Sequence, residues 1–408
     1  MVEVLRTGYA PGPVIVILKL QSQYGVASSY SDEISQAFRD LGHETVVFDT
    51  ADPYGPELVK LLNAGKVKFV FDINGAGTTV RIEGKPIWDR AKTQLISLCG
   101  DSPVTISDRL VTDIHHWLVL FTNETWLALY RRGFPDRVKA RSGLSYLGGR
   151  KFTDGPLKPI RDRRHGVTFV GSFYGTMDKA TRVMSDSSLM SGLLRDTLAE
   201  AVEDGSRATV DIFASHLSKR GVDPNDVPTR SVYRAVQYIE ERIRSFRRMR
   251  LLSSIRRVPV HLVGPADWKI VPELGSNFDV HPPVPFLQIG DLFGETKINL
   301  SMLPASTGGM HERTLCGMHH GAATLSDNSL EIPAEFQNGK NLYLYDWKDL
   351  AHMDDRLEAI LADEASLSEV AEAGRAEVEA HYGWKNTAET ILAASERHHY
   401  WLALNENP

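Results

Sequence analysis

The apolar positions of the first half fall into short continuous runs separated by longer amphipathic stretches. Val14-Ile15-Val16-Ile17-Leu18 is apolar throughout and is followed by a polar loop from Gln21 to Ser29. Ser31-Asp32-Glu33 opens a helical pattern that runs to Leu41 and stops at Gly42. Thr45–Phe48 and Lys68–Phe71 read as strands, with a helix from Pro56 to Leu62 between them. Gln94–Cys99, Trp117–Phe121 and Val138–Ala140 predict further strands. Strands that are apolar on both faces and alternate with helices require a parallel sheet covered on both sides. That is a Rossmann-like α/β layer.

The texture changes from Leu147 to Arg164, where Gly148, Gly149, Gly155, Pro156 and Pro159 fall among many charges and predict an interdomain linker. A second layer starts with the strand Val167–Val170, which ends at Gly171-Ser172. Residues 178–257 then read as a helical insertion. Its most regular part is Ser231–Ile255, where Tyr233, Val236, Ile239, Ile243, Phe246, Met249 and Leu252 recur at helical steps. Arg242, Arg244, Arg247, Arg248 and Arg250 are expected on its solvated face, the other reading being an electropositive rim for an anion or membrane surface. The α/β rhythm resumes at Val260–Gly264 and continues with strands at Ile298–Leu300, Ala322–Leu325 and Leu342–Leu344. Helices are predicted at Glu312–His319, Leu350–Ala362, Ser366–His381 and Trp384–Leu402.

The expected architecture is α/β, with two Rossmann-like domains. Residues 1–164 form the first and 165–383 the second, and 384–408 are a closing helix packed back on the first. Two such domains facing one another would gather the carboxyl ends of both sheets around one cleft.

Composition narrows the function classes. The 408 residues carry a formal net charge of -6, so no basic excess points to nucleic acid. Cys99 and Cys316 are too few for a disulfide framework and fit a reducing cytoplasm. The N-terminus lacks the basic and apolar regions of a signal peptide, and no apolar run approaches the length of a membrane span. A cytoplasmic protein is expected, with membrane attachment at most peripheral.

The stretch most suggestive of chemistry is Leu303-Pro304-Ala305-Ser306-Thr307-Gly308-Gly309-Met310-His311-Glu312-Arg313-Thr314-Leu315. A strand runs into a loop of small residues and then a helix. Glycines let backbone N–H groups approach a ligand, and the helix start offers unpaired donors and positive partial charge. Phosphate binding at such a junction follows directly. His311 and Arg313 add side-chain donors, and a guanidinium can grip phosphate with two bonds. A plain strand-to-helix turn is the other reading.

Lys297–Leu300, Gly309–Leu315 and Gly321–Asp327, followed by Glu335–Leu342, Val370–Gly374 and His381–Trp384, resemble in order the donor domain of CgeB-like GT-B glycosyltransferases. Phe169–Ser172 and Leu262–Gly264 fall where that family has two strand–glycine turns. The resemblance covers residues 167–386. It implies a nucleotide-diphosphate sugar as co-substrate, no other cofactor and no metal. It implies that Gly171, Ser172 and Gly264 line the phosphate side, and that the backbone around Val284 and Phe286 meets the nucleobase. Gly308, Gly309, His311, Glu312 and Arg313 would surround the diphosphate, and Asp327 and Asn328 would end a strand at the same place.

The chain departs from the family where the helix carries Cys316 rather than a ribose-binding Glu, and where Gly309 stands seven residues earlier in place of a second Glu. For a base acting on the acceptor hydroxyl, Asp72, Asp101 and the cluster Asp113–His115–His116 are candidates, with Asp101 and His115 preferred. His281, His319, His320, His398 and His399 show no metal-ligand spacing along the chain. The expected partners are a nucleotide-sugar donor and a glycan, protein or small-molecule acceptor. The oligomeric state stays open. The alternatives are a nucleotide-sugar epimerase of the same architecture and a catalytically silent binding module.

Overall fold

The computed structural model describes residues 12–53, 55–134, 141–152, 155–172, 187–203, 207–265, 274–303, 309–328 and 332–406. They divide into two units, Met1–Gly148 with Tyr382–Pro408, and Gly149–His381.

In the first unit the apolar runs become β1 (Val14–Lys19), β2 (Glu44–Asp49), β3 (Val67–Ile73), the short pair β4 (Arg81–Ile82) and β5 (Lys85–Pro86), β6 (Leu95–Cys99), β7 (Trp117–Phe121) and β8 (Ser142–Leu144). The sheet order is β2-β1-β3-β6-β7-β8, and every neighbour in it is parallel. Ile15 through Leu18 of β1 are fully buried, as a strand covered on both faces must be. α1 (Val26–Asp40), α2 (Gly55–Asn63), α3 (Ile87–Ala91), α4 (Ser107–Leu110) and α5 (Glu124–Gly133) connect these strands. Phe38 of α1 meets Phe69 and Phe71 of β3 edge-on, with ring centroids 5.7 and 6.3 Å away. The strand expected at Val138–Ala140 lies outside the described residues, and β8 follows it.

The C-terminal helix, Trp384–Glu406, belongs to this unit. Trp384 packs on Tyr30 of α1 at 5.2 Å, and a Cβ on Gly148 would stand 2.6 Å from Trp384. Gln94 and Ser395 fasten it further. The Gln94 amide donates to the Ser395 carbonyl at 3.0 Å, and the Ser395 hydroxyl donates to Gln94 at 2.6 Å.

The second unit holds β9 (His165–Val170), β10 (Val260–Val263), β11 (Phe278–His281), β12 (Thr296–Leu300), β13 (Ala323–Asp327) and β14 (Tyr343–Tyr345), all parallel in the order β11-β10-β9-β12-β13-β14. α6 (Leu189–Glu203), α7 (Thr209–Ser218) and α8 (Thr229–Ser253) form the helical insertion, and Leu193, Leu194, Ile212, Phe213, Val236 and Ile239 are buried among them. α9 (Ile289–Gly294), α10 (Glu312–His319), α11 (Met353–Ala362) and α12 (Glu364–His381) complete the layers. β11 has no counterpart among the expected strands: Phe-Asp-Val-His is short, half polar and at the sheet edge. Among the described residues no helix is long and apolar enough to cross a membrane.

The strand expected to open this unit at Val167 is preceded by a buried arginine. Arg163 donates from Nε to the Lys158 carbonyl at 3.0 Å, from Nη1 to Phe293 and Thr296 at 3.2 and 2.9 Å, and from Nη2 to His320 at 3.2 Å. Burial lowers its pKa to about 10, so it stays charged at neutral pH. Arg163→Ala leaves several buried carbonyls unmet and should cost about 3–5 kcal/mol of stability, read from urea unfolding. An unchanged urea midpoint would show that the side chain does not hold the segment in place.

Candidate functional site

In the second unit the chain leaves β9 toward β10 on one side and returns to β12 on the other. The order therefore reverses between β9 and β12, and ligands of open α/β sheets bind outside the carboxyl ends of the strands at such a point. β9 ends in Gly171-Ser172, and β12 ends in Ser301-Met302-Leu303. α10 begins over the same place. Gly309, before it, has φ 85°, a left-handed conformation that favours glycine. β12 holds α10 close: Asn299 Nδ2 donates to the Arg313 carbonyl at 2.9 Å, and the Ser301 and Thr314 hydroxyls are 2.9 Å apart. A Cβ on Gly317 would lie 2.4 Å from Asn299 Nδ2, so a small residue is needed for this approach.

At the first turn His311, Glu312 and Arg313 form a connected group. His311 Nε2 lies 2.6 Å from Arg313 Nη2, and His311 Nδ1 lies 2.8 Å from a Glu312 carboxylate oxygen. A guanidinium has only protons to give, so Nε2 accepts, and the ring proton sits on Nδ1 and points to Glu312. This tautomer gives up two longer contacts to Nδ1, each 3.2 Å, from the Arg313 amide and from Arg313 Nε. Burial, reinforced by Arg313 and opposed by Glu312, brings His311 down to about 4, so it is neutral. Burial alone would raise Glu312, but His311 and Arg313 outweigh it and hold the carboxyl at about 2.

Arg313 also reaches back across the switch point, donating from Nη1 to the carbonyl of Val170. A Cβ on Gly171 would stand 3.1 Å from that nitrogen and 2.8 Å from Phe169, so the turn after β9 needs glycine. Arg248 of α8 donates to the next carbonyl but one, that of Ser172. Arg248 is 3% exposed and Arg247 6%, which corrects the expectation that both lie on a solvated helix face. The pattern carried the signal. Arg247 stands four residues after Ile243 and four before Leu251, and Arg248 four before Leu252, which puts both on the buried stripe. Arg247 donates to the Ala201 carbonyl at 3.0 Å and lies near Asp327 in charge terms.

The remaining expected donor residues take these places. Gly264 ends β10, its N–H donating to the His281 carbonyl at 3.0 Å, and the neighbouring Gly171 N–H donates to Val263 at 3.0 Å. Asp327, ending β13, is buried and accepts from the Leu303 N–H at 2.9 Å and from Trp347 Nε1 at 3.3 Å; burial raises its pKa. Asn328 is exposed, with its N–H on the Tyr345 carbonyl at 2.8 Å. Val284 is half-buried, while the Phe286 ring is turned inward, edge-on to Phe152 at 5.3 Å. Gly308 lies outside the described residues. Cys316 is buried beside His320, and burial pushes its thiol up.

The first unit places the two preferred base candidates at opposite ends of its sheet. Asp101 follows the carboxyl end of β6, while His115 precedes the amino end of the parallel neighbour β7. A five-residue strand separates those ends by roughly 17 Å. Asp101 accepts from Asn74 Nδ2 at 2.7 Å, and Asn74 Oδ1 receives the N–H groups of Gly100 and Asp101 at 2.9 and 3.2 Å. His115 instead has its N–H on the Asp89 carboxylate at 3.0 Å and its ring 5.9 Å from that of Trp401. Strand polarity separates the pair, a feature that spacing along the chain does not show.

Residues 244–393 match the family model described as glycosyl transferase-like, a span that runs from α8 into the C-terminal helix. Anabaena Alr3699/HepE, solved with UDP-glucose, is similar in structure at a TM-score of 0.53 and 12% identity, covering 93% of this chain and 99% of that one. The sucrose-phosphate synthase tll1590 of Thermosynechococcus elongatus gives 0.53 at 11% identity, covering 95% and 98%. With S. aureus TarM the TM-score is 0.40 at 11% identity, and the matched region spans only 55% of that chain. No curated protein matches by sequence. The protein has the GT-B fold, two Rossmann-like units of parallel sheet. Most of the span that matches the glycosyl transferase-like family model lies in its second unit.

Asp72, the third carboxylate considered as a base, is fully buried at the end of β3. It accepts from the N–H groups of Gly75 and Gly77 at 3.0 and 2.5 Å and so anchors the turn that follows. Burial, only partly offset by Ser97, these amides and Arg109, raises it from an ordinary 3.8 to about 6. The folded state then holds a proton that the unfolded chain releases. Its contribution to stability is fully present below about pH 4 and falls by up to about 3 kcal/mol as pH rises to 6. Comparing unfolding of the wild type and Asp72→Asn across that range should show the fall only in the wild type. Parallel pH curves for the two proteins would refute it.

Proposed function

We propose that this protein is a glycosyltransferase, of the CgeB-like type its motifs resemble, that moves a sugar from a nucleotide diphosphate to an acceptor hydroxyl. The observation that carries this reading is the convergence of Arg248, Arg313 and the N-terminus of α10 on the carboxyl end of β9. Two guanidinium groups and a helix start at a topological switch point form a site for a diphosphate. The match over residues 244–393 includes Arg248, His311, Glu312 and Arg313 and supports the same reading.

The acceptor oxygen forms its bond to the anomeric carbon as the bond from that carbon to the phosphate oxygen breaks. The diphosphate leaves with the electron pair, and its charge develops against Arg248, Arg313 and the α10 amides. These groups supply the neutralisation, so the reaction as proposed uses no metal at the diphosphate and no cofactor besides the nucleotide sugar. Asp101, at the carboxyl end of β6, is the residue we assign to take the hydroxyl proton. His311 stays neutral and orients Arg313 through the 2.6 Å contact.

The test is calorimetric titration with uridine, guanosine and thymidine diphosphates, uridine first because HepE was solved with UDP-glucose. Arg313→Ala and Arg248→Ala should each weaken the diphosphate that binds by about 10- to 100-fold, from the ~1.5–3 kcal/mol of a charge-assisted hydrogen bond. Arg250→Ala, whose side chain is 43% exposed, should leave it unchanged. No binding of any of the three nucleotides, or wild-type affinity in Arg313→Ala, overturns the assignment.

A further inference from the structure

Three imidazoles and a carboxylate gather on the other side of the second sheet's order from α10, where β11 forms the edge. His261 of β10 and Asp279 of β11 are register partners, and His281 stands two residues beyond Asp279 on the same strand face. The His261 ring stacks on His165 at 3.9 Å between centroids and lies 4.1 Å from the His281 ring. Asp279 Oδ2 is 2.6 Å from His281 Nε2 and 3.7 Å from His261 Nδ1. The His261 nitrogen is buried and, among the described residues, has no hydrogen-bond partner. One ligand atom from each of His261, Asp279 and His281 falls within 4.8 Å of the other two.

We propose that His261, Asp279 and His281 bind one divalent transition-metal ion. Two imidazole nitrogens and a carboxylate oxygen are the donor set of zinc and its borderline neighbours, whereas magnesium and calcium prefer oxygen alone. Tetrahedral zinc with bonds of ~2.0–2.2 Å needs ligand atoms about 3.3–3.5 Å apart. The contacts of 2.6 and 3.7 Å bracket that spacing. The ion displaces the proton shared by His281 and Asp279, and the two side chains move apart by less than an ångström. They have room to do so, since their side chains are 43% and 74% exposed. His261 is 12% exposed and fixed by His165, so it is the preset ligand. Water completes the coordination. The ion would add a side-chain clamp between the four-residue edge strand β11 and β10, which the backbone ladder already joins. The proposal does not rest on the transferase reading.

The experiment uses the full chain, stripped with chelator and returned to chelator-free buffer. Titration with Zn2+ should give one saturable site per chain and a raised thermal midpoint, and Co2+ should give the visible bands of a site with nitrogen ligands. His281→Ala and Asp279→Asn, both at exposed side chains, should each weaken Zn2+ binding at least tenfold and abolish the thermal shift. His352→Ala, which removes the exposed pair with Asp349, should change neither. Mg2+ in tenfold excess should not compete. Absence of a saturable site, or a site retained at full affinity in both variants, overturns the proposal.

Discussion

A buried guanidinium cannot shed its charge at neutral pH, so the chain must surround it with acceptors. That requirement organises the second unit. Arg163 takes carbonyls from residues 158, 293, 296 and 320 and ties the entering segment to β12 and to the end of α10. Arg247 joins α8 to α6, while Arg248 and Arg313 meet the carbonyls that close β9. The same bonds that satisfy these charges fix where α8 and α10 stand relative to the sheet. Structure and positive potential at the switch point therefore have one cause.

The helix start adds direction to that charge. His311 is neutral because it is buried beside Arg313, and its single ring proton goes to Glu312. With the ring held from both sides, the guanidinium is fixed in place by contacts within the chain. Asp327 holds Leu303, the residue that leaves the β12 end.

The two sheets are built alike but reverse at different points. In the second unit the strand order turns between β9 and β12; in the first it turns between β1 and β3, where the end of β3 carries Asp72 and the turn after it carries Asn74 and, through Asn74, holds Asp101. Burial has made Asp72 a turn anchor and left Asp101 exposed at the carboxyl end. The edge strands differ too. β11 supplies Asp279 and His281 to the cluster completed by His261 of β10, while among the described residues β8 and β14 take part in no such group.

Much of this was legible along the chain because its causes are local. Apolar runs bounded by turn residues marked most strands of both sheets, and the step into a helix at Gly309–Arg313 was legible as a strand-to-helix junction, since a left-handed glycine and a helix start both announce themselves within a few residues. Arg247 and Arg248 were readable from their place on the apolar stripe, but only the packing of α8 against the end of β9 shows what they serve. Strand order, and with it the separation of Asp101 from His115, is settled by pairing between residues tens of positions apart. The group His261–Asp279–His281 likewise has no spacing of its own, because β10 and β11 supply it jointly. The sequence by itself determined most of the strands, helices and turns; the tertiary structure alone decided which ends and faces meet, because a parallel sheet joins residues through crossovers whose length carries no record of the register.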